Sequence, residues 1–394
     1  MSDFGITRDV DVFTKGLEVQ QPELLEVLET TPIVRNGNAV TIMRMADIVE
    51  ATHHPDVRST PLGASGFLGA PDALIPLQID GDAHRNYRRL LDPLFAPRAV
   101  ARLEQQVRRL SNELIDTFAD RGEVEFYEEF CVPLPCTIFL QLLGLPLDDL
   151  EFLLWFKDGV IRPNDDAHRA EASGRMFEYL FRVLEEREAE GNPRDDLIGG
   201  FMSAEVDGQR LTRDEVMNII FVLVFAGLDT VSASLSCFVA WFARHPERRQ
   251  LVIDDPSLLP HAIEELLRYE SPVPAVARFA IAECELGGEQ IRAGDSLNLL
   301  LCVANLDPTA IPDPLTVDFD RDTKSHIDFG TGVHRCLGSH LARMELRVAL
   351  QVLHERIPDY AIDAARPPVY HNDGGVRTVE PLHLVFSRGA LGER

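Results

Sequence analysis

The stretch Phe329-Gly330-Thr331-Gly332-Val333-His334-Arg335-Cys336-Leu337-Gly338, with Ser339-His340-Leu341-Ala342-Arg343 directly after it, decides how the rest of the chain is read. Its first glycines permit a tight backbone ahead of Cys336. Beyond the cysteine, Leu337, Leu341, Met344, Leu346, Val348, Leu350, Val352 and Leu353 follow a helical apolar pattern that meets no proline before Pro358. Cys336 therefore stands where a glycine loop becomes a helix, and the unpaired N–H groups and dipole of a first turn favour a thiolate there. Such a sulfur serves as a nucleophile or a metal ligand, and a buried structural cysteine is the plainer alternative. Zinc would need more than His334 and His340, and no CxxC or second Cys/His pair lies nearby. A dinucleotide loop fails too: Arg335 stands at the third glycine of GxGxxG, and Lys324-Ser325-His326-Ile327-Asp328 is no apolar strand.

The chain around it has 394 residues, 45% hydrophobic and 26% charged, which suits a globular protein with a wide core. Its net charge of −26 argues against nucleic acid and anionic membrane as partners of the whole molecule. The six cysteines have no disulfide-framework spacing, and Met1-Ser2-Asp3-Phe4-Gly5 opens no signal peptide, so a reducing cytoplasm is expected. Residues 1–20 read as a loosely held lead-in, Pro22 to Leu28 as helix, and Ile33 to Met45 as two strands turning at Asn36-Gly37-Asn38. No repeat or flexible linker divides the rest, so one domain over 1–394 is expected.

From Arg85 to Arg121 eight arginines face five carboxylates, a positive segment in an acidic chain that would steer an acidic protein partner. At its start the stretch Asp80 to Leu90 opens a helix in which His84 and Arg88 fall four apart on one face, suited to a bound anion or simply to a solvated basic face. Between Pro55 and Asp80, prolines and glycines mix with Leu62, Phe67, Leu68, Leu74 and Ile75, the composition of a loop tucked on the core or of a mobile wall over a pocket. The helical segments 148–160 and 167–190, joined at Pro163-Asn164-Asp165, would suit a lid.

Thr212 and Glu215 form a capping box, and no proline follows until Pro246, which predicts one helix over 212–244, about 50 Å long. Ile219 to Leu228 is apolar on every side, so the helix is buried in a core or a membrane. Asp229 near its centre, costing about 3 kcal/mol in lipid, favours the core. In Ala226-Gly227-Leu228-Asp229-Thr230 a glycine and a back-bonding hydroxyl would open the helix locally beside a carboxylate, leaving a polar notch that could hold a buried water. Glu265 and Arg268 pair at i, i+3, and Val276 to Ile281 begins a series of short strands turning at Gly287-Gly288 and Gly294-Asp295. In the tail, Gly374-Gly375-Val376 reads as a hairpin turn.

The pattern F-G-x-G-x-H-x-C-x-G-x-x-L-A-R resembles the cysteine-loop signature of the cytochrome P-450 family, the haem-thiolate monooxygenases, in its soluble bacterial form. A-G-x-D-T resembles that family's oxygen-activation motif, E-x-x-R its structural ion pair, and H-x-x-x-R its early haem-binding helix. The resemblance implies a mainly α fold with a smaller β-rich region, and a haem between the long central helix and the cysteine-loop helix. By it Cys336 is the axial ligand of the iron of haem b, iron protoporphyrin IX. Phe329 packs beside the sulfur, and His84, Arg88, Arg278 and His334 hold the propionates. Asp229 and Thr230 would serve oxygen activation, the carboxylate passing protons inward and the hydroxyl holding a hydrogen bond and a water, while Gly227 leaves room for dioxygen. Glu265 and Arg268, locked by an arginine such as Arg321, support the fold. Leu306 departs from the family's usual arginine, which removes one local salt contact.

The activity so implied is insertion of one atom of O2 into an apolar small organic molecule, such as a terpenoid, steroid, fatty acid or aromatic. Phe67, Leu68, Phe225, Val276 and Val376 are expected to line its pocket. With no flavin, nicotinamide or iron–sulfur motif in the chain, electrons from NAD(P)H would arrive through a ferredoxin or flavodoxin with its reductase. That donor would dock on the basic face with Arg335 and Arg343, against a monomeric enzyme. A peroxide-using haem-thiolate enzyme and a haem sensor or carrier are the alternatives.

Overall fold

Short strands at the N-terminus and around residue 290 assemble one sheet from distant parts of the chain. The computed structural model describes residues 17–60, 68, 70, 72–191, 194–322, 326–371 and 375–388. Ile33–Asn36 and Ala39–Ile42 form the expected hairpin, and Ser296–Leu299 lies parallel to the second strand. Val276–Ala280 and then Val57–Arg58 extend the sheet antiparallel to five strands. Alternation buries Val40, Ile42, Leu297 and Leu299 with Leu286 and Ile291 of the neighbouring hairpin, a small core of its own.

Helices make up the larger part, around one extended apolar core. Leu150–Ile161 and Asp166–Glu190 pack on each other, and the second is capped by Asp165, whose side chain accepts from the His168 amide. The cysteine-loop helix, Ser339–Arg356, packs against Glu104–Asp116 and against Leu259–Glu270, which carries Glu265 and Arg268. Two expectations need correction. Regular helix starts at Leu17, inside the stretch read as a lead-in. The long central element, correctly started by the Thr212–Glu215 capping box, is two helices, Arg213–Gly227 and Thr230–Arg244, interrupted at Leu228-Asp229.

This central pair is long and apolar enough to cross a membrane, yet 78% of its most apolar window is buried inside the protein, as in a core helix. In the tail, Tyr370–His371 pairs antiparallel with Thr378–Val379 on either side of the turn predicted at Gly374-Gly375-Val376, of which Gly374 lies outside the described residues.

Candidate active site

The cysteine loop closes on itself before its helix begins. The Cys336 amide donates to the Phe329 carbonyl at 2.8 Å, and the Gly330 amide donates to the Ile327 carbonyl at 2.8 Å. At Gly332 φ is +73, and a Cβ there would lie 2.6 Å from the Thr52 carbonyl oxygen, so only glycine lets the loop rest on the Met45–His53 helix. Cys336 itself is accessible although protein surrounds it closely, as a side chain lining an internal space is. Burial pushes its thiol above the ordinary value, opposed by the Gly338 amide hydrogen bond and by the charges of Arg335, Arg88 and Arg343. The argument from a helix start therefore has the wrong sign for the free side chain. Regular helix begins only at Ser339, and desolvation outweighs what the nearby dipoles and arginines supply.

The Gly81–Leu91 helix carries His84 and Arg88 on one face. Arg88 donates to the Arg335 carbonyl at 3.0 Å and to Asp92 at 2.7 Å, which ties this helix to the cysteine loop. His84 is buried with its ring centroid 4.1 Å from that of His334, and its Nε2 has no hydrogen-bond partner among the described residues. Burial, then the charges of His334 and Arg88, push the His84 imidazole down to about 4. His334 Nε2 lies 3.0 Å from Asp80 Oδ1. Against the burial that would raise it, hydrogen bonds from His334 and Ser59 hold the Asp80 carboxyl below its usual range. Arg278, on the strand Val276–Ala280, donates to the Ala277 carbonyl at 2.7 Å and has no ion pair among the described residues. Burial pulls its guanidinium below the ordinary value, with Asp80 in partial opposition. The four residues expected to hold propionates are thus electrostatic neighbours, with Asp80 as the carboxylate among them.

The interruption of the central helix has two causes. Thr230 Oγ1 donates back to the Ala226 carbonyl at 3.1 Å, as the sequence suggested. Asp229 is fully buried and drawn sideways: Lys157 Nζ lies 3.2 Å from its Oδ1, the Tyr127 hydroxyl 3.5 Å, and Arg162 Nη2 4.0 Å from its Oδ2. Burial would lower Lys157 and Arg162, but Asp229 together with Asp158 at the lysine, and with Tyr127 and Glu380 at the arginine, holds both cations above their ordinary values. Burial and the same carboxylate push the Tyr127 phenol up. Residues on either side of the interruption, Val216 to Val224 and Val231 to Phe242, are buried, whereas Phe225, Ala226, Gly227 and Thr230 are partly or fully accessible. Gly227 has a packing reason of its own, since a Cβ there would meet the Phe139 ring at 2.8 Å.

Glu265 and Arg268 form a buried two-pronged ion pair at 2.8 and 2.9 Å. Arg321 Nε adds a second cation 3.0 Å from Glu265 Oε1. Of the residues expected to line a pocket, Phe67 lies outside the described residues. Leu68 and Phe225 pack on the large core, Val276 packs on the core of the sheet, and Val376 is buried in the tail. Arg343, expected on a docking face, is paired with Glu264 at 2.6 and 2.7 Å. Sequence reading missed Lys157, Arg162, Tyr127 and Glu264; the one available signal was Lys157 directly after the apolar run Leu153-Leu154-Trp155-Phe156.

Comparison with known proteins agrees with this geometry. The family model for Cytochrome P450 matches residues 148–356. Cyclomarin C epoxidase CymV of Salinispora arenicola is 35% identical over 359 residues, 88% of this chain and 90% of its own. The steroid C26-monooxygenase of Mycolicibacterium smegmatis is 31% identical over 365 residues, 90% of this chain and 89% of its own. The chain belongs to the cytochrome P450 family. Among solved structures, a mutant of P450 EryK in complex with erythromycin B shares the fold with a TM-score of 0.86 at 28% identity, covering 95% of this chain and 98% of that one.

As a P450, the protein is an oxidoreductase of the monooxygenase kind whose family uses haem iron and dioxygen. Its own residues fit that group. Cys336 presents an accessible sulfur whose raised thiol a bound cation would deprotonate. Among the described residues His84 Nε2 is a buried polar atom without a hydrogen-bond partner and Arg278 is a guanidinium without an ion pair, and propionates would satisfy both.

Proposed function

We propose that the protein is a haem-thiolate monooxygenase that inserts one oxygen atom from O2 into an apolar small organic molecule. The observation that carries this reading is the accessible Cys336 sulfur at the end of its closed loop, with a second accessible place at Ala226, Gly227 and Thr230 in the middle of the otherwise buried central helix pair. Haem b bound through Cys336 would supply the dioxygen chemistry. Around it, His84, Arg88, Arg278 and His334 would anchor the carboxylates of the cofactor, with Asp80 holding His334 in place. Thr230 would hold a proton-bearing water beside the notch. Asp229, within reach of Lys157 and Tyr127, would pass protons from the interior side.

The substrate class is that of a terpenoid, steroid, fatty acid or aromatic, and a steroid is supported by likeness to the steroid C26-monooxygenase. Leu68 and Phe225, which pack on the same core, are the first residues to test for contact with it. Electrons would come from NAD(P)H through a ferredoxin or flavodoxin and its reductase. Arg89, Arg98, Arg102 and Arg335 are exposed and suit the docking of such an acidic partner, whereas Arg85, Arg88, Arg108, Arg109 and Arg121 are ion-paired. A single cytoplasmic, monomeric domain completes the reading.

Product formation from such substrates, supported by a ferredoxin system with NAD(P)H and compared with hydrogen peroxide alone, tests it. Product with the electron donor is the expected result. Product with peroxide only would make the protein a peroxide-using enzyme. Haem binding with neither route active would make it a sensor or carrier.

A further inference from the structure

Behind the cysteine loop lies a second charged assembly that the reading above does not use. Arg343, on the first turns of the Ser339–Arg356 helix, donates from Nε and Nη2 to the two oxygens of Glu264 at 2.6 and 2.7 Å. The same guanidinium lies over the Phe329 ring, with its carbon 4.2 Å from the centroid. His326 Nε2 meets Glu264 at 2.9 Å from the other side. These groups line a cleft of about 460 Å³ on the outer side of the loop, together with His261, Gly330 and Arg335. Arg343 keeps 27% of its side chain exposed and Glu264 only 12%, so the pair is largely withdrawn from solvent.

Phe329 joins this assembly to the sulfur. Its carbonyl receives the Cys336 amide, so a cation stacked on its ring clamps the residue that closes the cysteine loop. The fork of Arg343 suits both tasks at once, because a planar guanidinium can pair with a carboxylate along its edge and stack on a ring with its face. The charge of Arg343 is also felt at the Cys336 sulfur. Asp328, buried next to Phe329, is pushed well above the usual carboxylate range by burial.

We propose that Arg343, held by Glu264 and laid on Phe329, is a positioning residue that sets the reduction potential of the haem iron bound at Cys336. The inference rests on the reading of Cys336 as the haem ligand. A positive charge near the thiolate favours the reduced iron, which carries one more electron, and the negative charge of Glu264 offsets it. Removing the two charges must then act in opposite directions, an outcome that loss of structure alone would not give.

The test is spectroelectrochemical titration of the haem-loaded wild type, Arg343→Met, Glu264→Gln and the double variant. Arg343→Met is expected to lower the reduced-to-oxidised ratio at a fixed applied potential about tenfold, ~59 mV for a one-electron couple. Glu264→Gln is expected to raise the ratio, and the double variant to return close to the wild type. Arg343→Lys keeps the charge but loses fork and stacking, and should fall between wild type and Arg343→Met. Single variants shifting in the same direction, or neither moving the ratio twofold, overturn the proposal. Should Arg343→Met fail to load haem, an unchanged or lowered ratio in Glu264→Gln overturns it equally. A wild type whose reduced carbon monoxide complex lacks the red-shifted thiolate band would instead strike the reading of Cys336 itself.

Discussion

Replacing Arg268 by Met is the perturbation whose size the structure fixes best. Arg268 is fully buried and makes five hydrogen bonds: two to Glu265 and one each to the carbonyls of Asn305 at 3.1 Å, Pro314 at 2.7 Å and Thr316 at 3.0 Å. Breaking a buried ion pair by removing one partner costs about 3–5 kcal/mol. The lower end applies here, because Arg321 stays beside Glu265 and the Asp318 amide still donates to it at 3.0 Å. Thr316 also keeps a donor in Arg321, but the carbonyls of Asn305 and Pro314 lose the one that Arg268 supplied, at about 1 kcal/mol or more each. A loss of about 4–6 kcal/mol is expected, comparable to the whole stability of many domains. Urea unfolding of the haem-loaded protein, followed by far-ultraviolet circular dichroism, reads it as a lowered midpoint. A loss under about 1 kcal/mol in Arg268→Met would refute the reasoning.

Glu345, on the cysteine-loop helix, predicts a pH dependence: burial raises its carboxyl from an ordinary 4.5 to about 8. Below pH 4.5 both folded and unfolded chains hold the proton; between 4.5 and about 8 only the folded one does, so the stability it contributes is lost as pH rises through that window, by roughly 1.4 kcal/mol per unit. Glu345→Gln should flatten that slope in unfolding midpoints measured across it, and an unchanged slope would place the proton elsewhere. Thr230→Ala should keep NAD(P)H consumption but release hydrogen peroxide in place of product, measured as the ratio of the two; unchanged coupling would free Thr230 of any part in holding protons.

What the sequence disclosed were features that depend on near neighbours. The glycines around Cys336, the capping box of Thr212 and Glu215, and the turn at Asn36-Gly37-Asn38 each state a backbone conformation within a few residues. The interruption at Leu228-Asp229 was only half legible. Thr230 announced a back-bond, but the pull on Asp229 comes from Lys157 and Arg162, which no spacing rule connects to it. The sign of the Cys336 thiol was hidden for the same reason, because desolvation depends on everything that surrounds the loop. Arg343 shows the limit most clearly. As a charge near the cysteine it read as part of a docking face, and only the fold brings Glu264 and Phe329 to it. The lock of Arg321 on Glu265 came from family resemblance, since its partner lies far away in the chain.

The central claim is that Cys336 holds the haem iron as a thiolate. The absorption spectrum of the reduced carbon monoxide complex, recorded for wild type and Cys336→His, tests it most directly. The account predicts the red-shifted thiolate band in the wild type and its loss in a variant that still binds haem. A wild type that purifies without haem, or a Cys336→His protein that keeps the band, would contradict it.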